Sequence, residues 1–345
     1  MSNPAERIVQ SPGQPGGGRA KAIEILRKSA LLLVLFALMA FFSTQNPNFF
    51  TLRNAMTVLR SVSISGVIAL GMTLVIIAKE IDLSVGSMIA LSGVLTAWLF
   101  RFFSQSGVGE VMSIVFAITI ALTVGAIVGM FTATLRNFLR IPSFITTLGL
   151  LTALSGAAYL ISGGFPIIGF PGWYNYIGAG WLLQGRFDNF PGIPFQVIIF
   201  FTVFAVLFIL LQFTSLGRAV YAVGANEEAA RLSGVNVKLV RCVAFGATGF
   251  LAALSGVMVS SQIMTGAPAV GGGGEMTAIS AVIIGGASLS GGVGKITGTL
   301  LGILFLGVVQ NGMTMMGMNT HWQAVVAGLL VITAVLFNTI IQKRQ

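Results

Sequence analysis

Long apolar stretches, separated by short polar segments, run through most of the 345-residue chain. A helix needs about 20 mainly apolar residues to cross the hydrocarbon core of a bilayer. The apolar stretch over 141–185 is too long for one crossing, and the Gly-Gly-Phe-Pro sequence at 163–166 ends its helix near residue 162. The pattern therefore predicts an all-α, polytopic transmembrane bundle of about ten helices, over residues 29–42, 61–78, 83–100, 111–135, 141–162, 193–213, 242–264, 275–290, 296–316 and 322–342.

The two ends of the chain lie outside this pattern. A run rich in Pro and Gly at 11–18 lacks apolar periodicity, which is typical of a disordered tail. The stretch at 29–42 could be a cleaved signal peptide, but the polar sequence Gln-Asn-Pro follows it instead of a small-residue cleavage site. We therefore predict a disordered cytoplasmic tail over 1–28, a membrane domain over 29–342 and a short cytoplasmic tail over 343–345.

The composition indicates that lipid is the main solvent of this chain. Only 8% of its residues are charged and 55% are hydrophobic, whereas soluble domains carry about a quarter charged residues. A net charge of +10 would suit nucleic acid if the basic residues clustered on one face with aromatic residues between them. They lie instead in short segments between apolar stretches, so we predict no nucleic-acid partner.

The same basic residues predict an orientation, because Lys and Arg are enriched in cytoplasmic loops of membrane proteins. With the N-terminus inside, ten crossings place fifteen of the 19 basic residues in cytoplasmic segments. The other four, outside, are Arg53, Arg60, Arg101 and Arg186. Both termini are therefore predicted to be cytoplasmic, with 163–192 as the largest external loop.

Two pairs of glycines have the spacing that lets membrane helices approach closely. They are Gly125 with Gly129, and Gly298 with Gly302. Such spacings also arise by chance in apolar sequences, so each pair alone is a weak prediction of a helix contact.

The sequence offers little for catalysis or metal binding. Cys242 is the only cysteine and His321 the only histidine, which excludes an intramolecular disulfide, a thiol metal cluster and a histidine-pair metal site. The segment 289–297 is similar to a phosphate-binding loop, but Leu289 and Ile296 occupy positions where that motif needs Gly and Ser or Thr. We predict no catalytic residue, no cofactor, no metal and no ATP hydrolysis by this chain.

The polar segment 214–241, predicted to be cytoplasmic, contains a well-capped short helix. Asn226 suits the N-cap, Glu227 and Glu228 suit the positive end of a helix, and Gly234 suits a left-handed closing residue. The helix has about two turns, which is fewer than the roughly 12–15 residues needed for marginal stability in water. It must therefore either pack on its own membrane helices or dock into a partner.

Several ordered motifs together resemble one family, the membrane permeases of ribose/xylose/arabinose-type ATP-binding-cassette importers, over nearly the whole chain after the tail. These motifs are GMT at 71–73, IDLSVGS at 81–87, the segment 217–234, GGASLSGG at 285–292, QNG at 310–312, and Trp322 with Gln323.

The resemblance implies a multi-pass protein of the cell inner membrane and a set of partners. These are an ATP-binding subunit, a periplasmic sugar-binding protein, a second permease copy in a homodimer or heterodimer, membrane lipid and a small sugar. In this family the short cytoplasmic helix inserts into the ATPase surface. Carried over, the coupling residues are Arg218, Gly224, Asn226, Glu227, Glu228, Ala229, Ala230, Ser233 and Gly234.

The motif at 81–87 also predicts a helix start. Asp82 is expected to cap this start, with a gating role as the alternative because acidic groups near membrane depth are costly and tend to be functional; Ser84 and Gly86 belong to the same motif. Two glycines commonly precede this motif in the family, and Lys79 and Glu80 stand there instead. The substrate of ribose carriers is therefore not transferred to this chain.

Gln310 and Asn311 are candidates for the translocation path. The Asn311 amide in an apolar helix would hydrogen-bond either a sugar hydroxyl or another helix. The predicted solute is a small neutral sugar, such as a pentose or deoxyhexose, because a charge-poor path needs no counter-charge. A furanosyl signalling compound, a polyol or a branched-chain amino acid are alternatives within the same transport class.

Two other classes of membrane protein fit less well. An ion-coupled secondary transporter usually has ionisable or ion-ligating groups near the midplane, and most of the predicted spans contain no charge. The capped cytoplasmic helix gives no support to a channel.

Overall fold

The computed structural model describes residues 17–186 and 190–342, and most of this part of the chain is helical. The helices are α1 (Gly17–Gln45), α2 (Leu52–Ile77), α3 (Val85–Gln105), α4 (Glu110–Phe138), α5 (Ser143–Ser162), α6 (Asn175–Ala179), α7 (Phe195–Phe213), α8 (Ser215–Ala225), α9 (Glu227–Leu232), α10 (Val237–Ile263), α11 (Gly274–Ile284), α12 (Ile296–Met315) and α13 (Thr320–Gln342), with a 3₁₀ turn at Gly172–Tyr174.

Seven helices in the described residues are long and apolar enough to span a membrane: α2, α3, α4, α5, α7, α10 and α12. Two shorter apolar helices, Leu31–Gln45 and Gly274–Ile284, accompany them. The chain is thus an all-α, multi-pass membrane protein. Each of the ten predicted spans overlaps a helix, but the number that cross stays a prediction.

Two boundaries differ from the sequence prediction. Residues 17–28, assigned there to a disordered tail, belong to α1, because 20–28 consists largely of Ala, Glu, Leu, Lys and Arg, which are strong helix formers. Helix α11 ends at Ile284 and not at 290, because Gly286 has a positive φ of 89°. With 11 residues α11 extends about 16 Å, roughly half of the hydrocarbon thickness. The predicted tail residues 1–16 and 343–345 lie outside the described residues.

Helix α10 is central to the bundle and packs against α2, α3 and α4. Its contact with α4 is a seam of small residues, in which Gly125 meets the Gly249 carbonyl and Gly129 meets the Phe245 carbonyl. A Cβ at either position would overlap these backbone atoms. The predicted close contact at Gly125 and Gly129 is therefore confirmed.

The second predicted pair is also at a helix contact. Gly298 lies against the backbone of Gly285, and Gly302 lies against that of Ala281. These contacts bring α12 onto α11. By contrast, less than a third of the span residues of α4, α5 and α7 are buried. Their exposed side chains include many large apolar ones, as expected for helices that face lipid.

The loop predicted to be external, over 163–192, contributes one strand to each of two short pairings. Ile167–Ile168 (β1) pairs antiparallel with Thr265–Gly266 (β4), and Trp181–Leu182 (β2) pairs with Ile193–Pro194 (β3). The loop is anchored on α10 by Tyr174, whose buried hydroxyl lies 2.8 Å from Ser260 Oγ.

The side of the membrane on which each loop lies stays a prediction, which cysteine labelling can test. In a Cys242→Ser background, single cysteines at Gln184 and Ser233, both exposed, are expected to react with an impermeant maleimide from opposite sides. Labelling in intact spheroplasts and in inside-out vesicles measures this. Reaction of both cysteines in the same preparation would contradict the predicted orientation.

Candidate functional site

The chain between α10 and α11 enters the bundle without forming a helix. After β4, residues 267–273 are irregular, and Gly271 and Gly273 have positive φ angles of 88° and 82°. Gly271 packs on the backbone of Gly86 in α3. Non-helical backbone at membrane depth is tolerated where it is buried in protein or lines a cavity. The sequence placed 265–274 between two predicted spans, but it did not predict that this segment enters the bundle.

The irregular segment lines a cavity of about 630 Å³. Helices α2, α3, α10, α11, α12 and α13 complete the wall, which is mostly apolar. The polar side chains in the wall are Ser65, Thr277, Ser280, Gln310, Thr320 and Gln323. Within the described residues the wall carries no charged side chain, so the cavity suits a neutral solute with hydrogen-bonding groups.

Some polar side chains of the cavity wall already have a hydrogen-bond partner in the protein, and others have none. Thr277 donates to the Gly273 carbonyl, at 3.2 Å. Gln323 donates to Thr314 Oγ1 and to the Met318 carbonyl, each at 3.1 Å. The side chains of Ser65 and Gln310 have no hydrogen-bond partner among residues 17–186 and 190–342. These two groups are therefore available to a solute.

Asn311, the other candidate for the path, has a different environment. Its side-chain amide exchanges two hydrogen bonds with that of Asn54, both at 3.1 Å. The amide thus joins α12 to α2, which is the second of the two roles considered for it. The pair uses one N–H donor and one acceptor site of the Asn311 amide, so a role of Asn311 in the path stays a prediction.

The IDLSVGS motif forms a tight turn before α3. Asp82 is buried, and its Oδ1 accepts from the Ser84 N–H at 2.9 Å and from the Ser84 hydroxyl at 2.6 Å. The sequence predicted that Asp82 caps α3, but Ser84 is the N-cap residue. Asp82 instead orders the turn before the helix. At Gly86 any side chain would collide with Glu275 and with the Gly271 carbonyl.

The short capped helix forms where the sequence predicts it. In α9, Asn226 is the N-cap, and its Oδ1 accepts from the Ala229 N–H at 3.0 Å. Gly234 follows with a φ of 84°. Helix α8, immediately before, was not predicted; Thr214 caps it by accepting from the Gly217 N–H at 3.1 Å.

One face of α9 packs on the protein's own bundle, and docking of its exposed face into a partner stays a prediction. Ala230 is buried in the main apolar core, so one face packs on the protein's own bundle. Glu228, Ala229, Arg231, Leu232, Ser233 and Gly234 are exposed, as is Arg218 in α8. Two predicted coupling residues thus face inward: Ala230, and Gly224, which packs on the Ile77 carbonyl. Leu232, 76% exposed, was missing from the prediction.

A buried charged cluster connects α9 to the membrane helices. Glu80 Oε1 accepts from Arg136 Nε and from Arg241 Nε, both at 2.9 Å, and its Oε2 accepts from the Ser143 hydroxyl at 2.6 Å. Arg241 also donates to Glu227 Oε2 of α9, at 2.6 Å. The hydrogen bond from Arg241 lowers the pKa of Glu227 below its ordinary value, against the opposing effect of partial burial.

In the sequence, Glu80 is distinguished only by standing where a glycine is common in the family. No role was predicted for Arg136, Ser143 or Arg241. These partners are distant along the chain, and only the packing of α4, α5 and α10 brings them together.

Comparison with known proteins places the chain among transport permeases. The sequence profile of the family described as "Branched-chain amino acid transport system / permease component" matches residues 54–335. The chain is 38% identical to the ribose import permease protein RbsC of Escherichia coli K12, over 90% of this chain and 93% of that protein. It is 37% identical to RbsC of Bacillus subtilis 168, over 91% and 93%.

A xylose permease is also similar. The chain is 30% identical to the xylose transport system permease protein XylH of Escherichia coli K12, over 100% of this chain and 99% of that protein. No solved structure matches the chain. The chain belongs to the branched-chain amino acid transport system permease family, within which these relatives carry the names of ribose and xylose permeases.

Proposed function

We propose that this chain is the membrane-spanning subunit of an ATP-binding-cassette importer for a small neutral sugar. The observation that carries the proposal is the uncharged cavity with two unoccupied polar groups, Ser65 and Gln310. Sugar hydroxyls both donate and accept hydrogen bonds, which matches a serine hydroxyl and a glutamine amide. The names of the relatives, ribose and xylose permeases, support the same solute class.

The cavity also favours a sugar over an amino acid. A zwitterionic solute brings a carboxylate and an ammonium group, and burying either without a partner is costly. None of the described residues of the wall carries a charge. A polyol or furanosyl compound would fit the same groups as a sugar, and the identity of the solute retained by the cognate periplasmic binding protein distinguishes among them.

In this proposal the exposed face of α8 and α9 binds the ATPase subunit. The periplasmic binding protein docks on the side of the membrane where the external loop lies. A second permease completes a homodimer or heterodimer in the cell inner membrane. The chain itself contributes a path and no catalytic group. Exposed apolar helix faces then contact lipid or the second permease.

The Gln310→Leu substitution tests the cavity as the solute path. It removes one unoccupied polar group and keeps a side chain of similar size, so the affinity for the solute in transit should fall. Loss of one or two hydrogen bonds, each about 1 kcal/mol, predicts a roughly five- to thirtyfold rise in KM for uptake. Uptake of D-ribose and D-xylose into proteoliposomes containing the full importer measures it.

A matched control is Gln212→Leu. Gln212 is exposed at the end of α7 and does not line the cavity. We expect the Gln212→Leu importer to take up D-ribose and D-xylose as the parent does. Equal uptake by Gln310→Leu and Gln212→Leu would contradict the cavity as the path.

A further inference from the structure

The charged cluster around Glu80 lies between the two regions that the proposed function has to connect. Its cytoplasmic end is Glu227, which is about half exposed and belongs to α9. Its inner end is Glu80, in the connection between α2 and α3 over 78–84. That connection leads directly to Gly86, which packs on Gly271 in the cavity wall.

Arg241 links these two ends through a single side chain. Its Nε donates to Glu80 and its Nη2 donates to Glu227. Arg241 and Glu80 are both nearly inaccessible to solvent, so water cannot readily take the place of either one in the bond that joins them. A shift of Glu227 therefore changes the hydrogen bonding of Arg241 and, with it, the environment of Glu80.

Backbone contacts hold the same connection from the cytoplasmic side. The Gly292 N–H donates to the Ile77 carbonyl at 2.8 Å. Gly224, at the end of α8, packs on the same carbonyl, and Gly291 packs on Lys79. The α2–α3 connection thus contacts both α8 and the loop before α12, which leaves it little freedom to move independently of them.

The exposed charges on α9 make a different set of contacts. Glu228 accepts from Arg231 within the same helix, at 2.6 and 3.2 Å. This pair is largely exposed. Two adjacent glutamates of α9 therefore differ in one respect: Glu227 is tied to the membrane helices and Glu228 is tied only to its own helix.

We propose that Arg241, with its carboxylate partners Glu80 and Glu227, transmits movement of α9 to the α2–α3 connection and so to the cavity. These are positioning residues, because none of them touches the solute path. The inference rests on the proposed function, in which the ATPase subunit moves α9. The competing role is a static clamp that stabilises the fold and transmits nothing.

A cysteine reporter in the cavity separates the two roles without knowledge of the solute. The parent for the experiment carries Cys242→Ser and Gln310→Cys and is assembled with its ATPase subunit in nanodiscs. The rate of maleimide labelling is compared with and without Mg-ATP and vanadate. Glu227→Gln is expected to reduce the nucleotide-dependent change in rate at least about fivefold, the lower end of measured couplings between sites.

Three further results are expected if the proposal is correct. Glu227→Gln keeps its ATPase subunit bound and keeps the melting temperature of the parent. Glu228→Gln changes the same exposed helix but leaves the hydrogen bonds of Arg241 intact, so it loses less of the nucleotide response than Glu227→Gln does. Combining Glu80→Gln with Glu227→Gln gives no larger loss of response than the worse single variant, because both act through Arg241.

Other results would overturn the relay. If Glu227→Gln and Glu228→Gln showed equal nucleotide-dependent changes in labelling rate, the cluster would be a static clamp. The same conclusion would follow if Glu227→Gln lowered the melting temperature and left the labelling response unchanged. Failure of the proposed function would be visible earlier, in the parent. A parent that binds no ATPase subunit, or shows no nucleotide response, would overturn both proposals before any network variant is compared.

Discussion

Leu232→Asp is expected to abolish co-purification of the ATPase subunit while the permease stays folded. The leucine side chain is 76% exposed on the short helix α9, so aspartate there should not disturb the bundle. Burying a leucine in a partner is worth about 1.5–3 kcal/mol, and an unpaired aspartate in the same interface adds a desolvation cost. A combined loss of about 3 kcal/mol or more of binding free energy raises the dissociation constant more than a hundredfold. Pull-down from detergent, with the permease melting temperature measured in parallel, tests this.

Ala230→Trp provides the contrast on the inner face of the same helix. Ala230 lies in the apolar core, and forcing extra volume into a packed core costs about 1–3 kcal/mol. We expect this variant to lower the melting temperature of the isolated permease. If Leu232→Asp retained its ATPase subunit, or if it unfolded the permease, the exposed face of α9 would not be the docking surface.

Arg241→Met is expected to destabilise the permease by about 3–5 kcal/mol, the usual cost of removing one partner of a buried ion pair. Glu80 would keep Arg136 and Ser143 but would lose the guanidinium that is itself buried beside it. Thermal unfolding in detergent, followed by the loss of the monodisperse chromatographic peak, measures the effect. Arg218→Met serves as the control, because Arg218 is exposed, and should leave the melting temperature unchanged.

The double variant Glu80→Gln/Arg241→Met tests whether the buried Glu80 carboxylate causes the lower stability of Arg241→Met. In Arg241→Met the buried Glu80 carboxylate keeps Arg136 as its charged partner but loses Arg241, so neutralising Glu80 should restore part of the lost stability. If Arg241→Met melted at the parent temperature, or if Glu80→Gln made it less stable still, the buried carboxylate would not be the source of the effect.

The sequence predicted those features that depend on local composition. Apolar stretches about as long as a membrane crossing indicated the long helices, and the cap at Asn226 and the closing Gly234 defined α9. The resemblance to sugar permeases rested on ordered motifs spread over the chain, and the comparisons bear it out. These signals are contained within short segments, so they need no knowledge of the packing.

Features that depend on contacts between distant segments were not predicted. Glu80 binds residues 56 and 161 positions later in the chain, at Arg136 and Arg241. The inward position of Ala230 and the outward position of Leu232 depend on how α9 lies on the bundle, and α9 is too short to show an apolar period. The pairing of Asn311 with Asn54 is likewise a matter of helix packing.

The glycine seam between α4 and α10 has a consequence for genetic variation. Every missense change at Gly125, Gly129 or Gly249 adds a Cβ, and in the folded protein that space holds backbone of the facing helix. Even alanine cannot be accommodated there without moving a helix. At Gly149 and Gly156 of α5, nothing lies within 4 Å of an added Cβ. A saturation library selected for uptake should therefore lose nearly all alleles at the seam and retain many at α5, although all five codons specify glycine in an apolar helix.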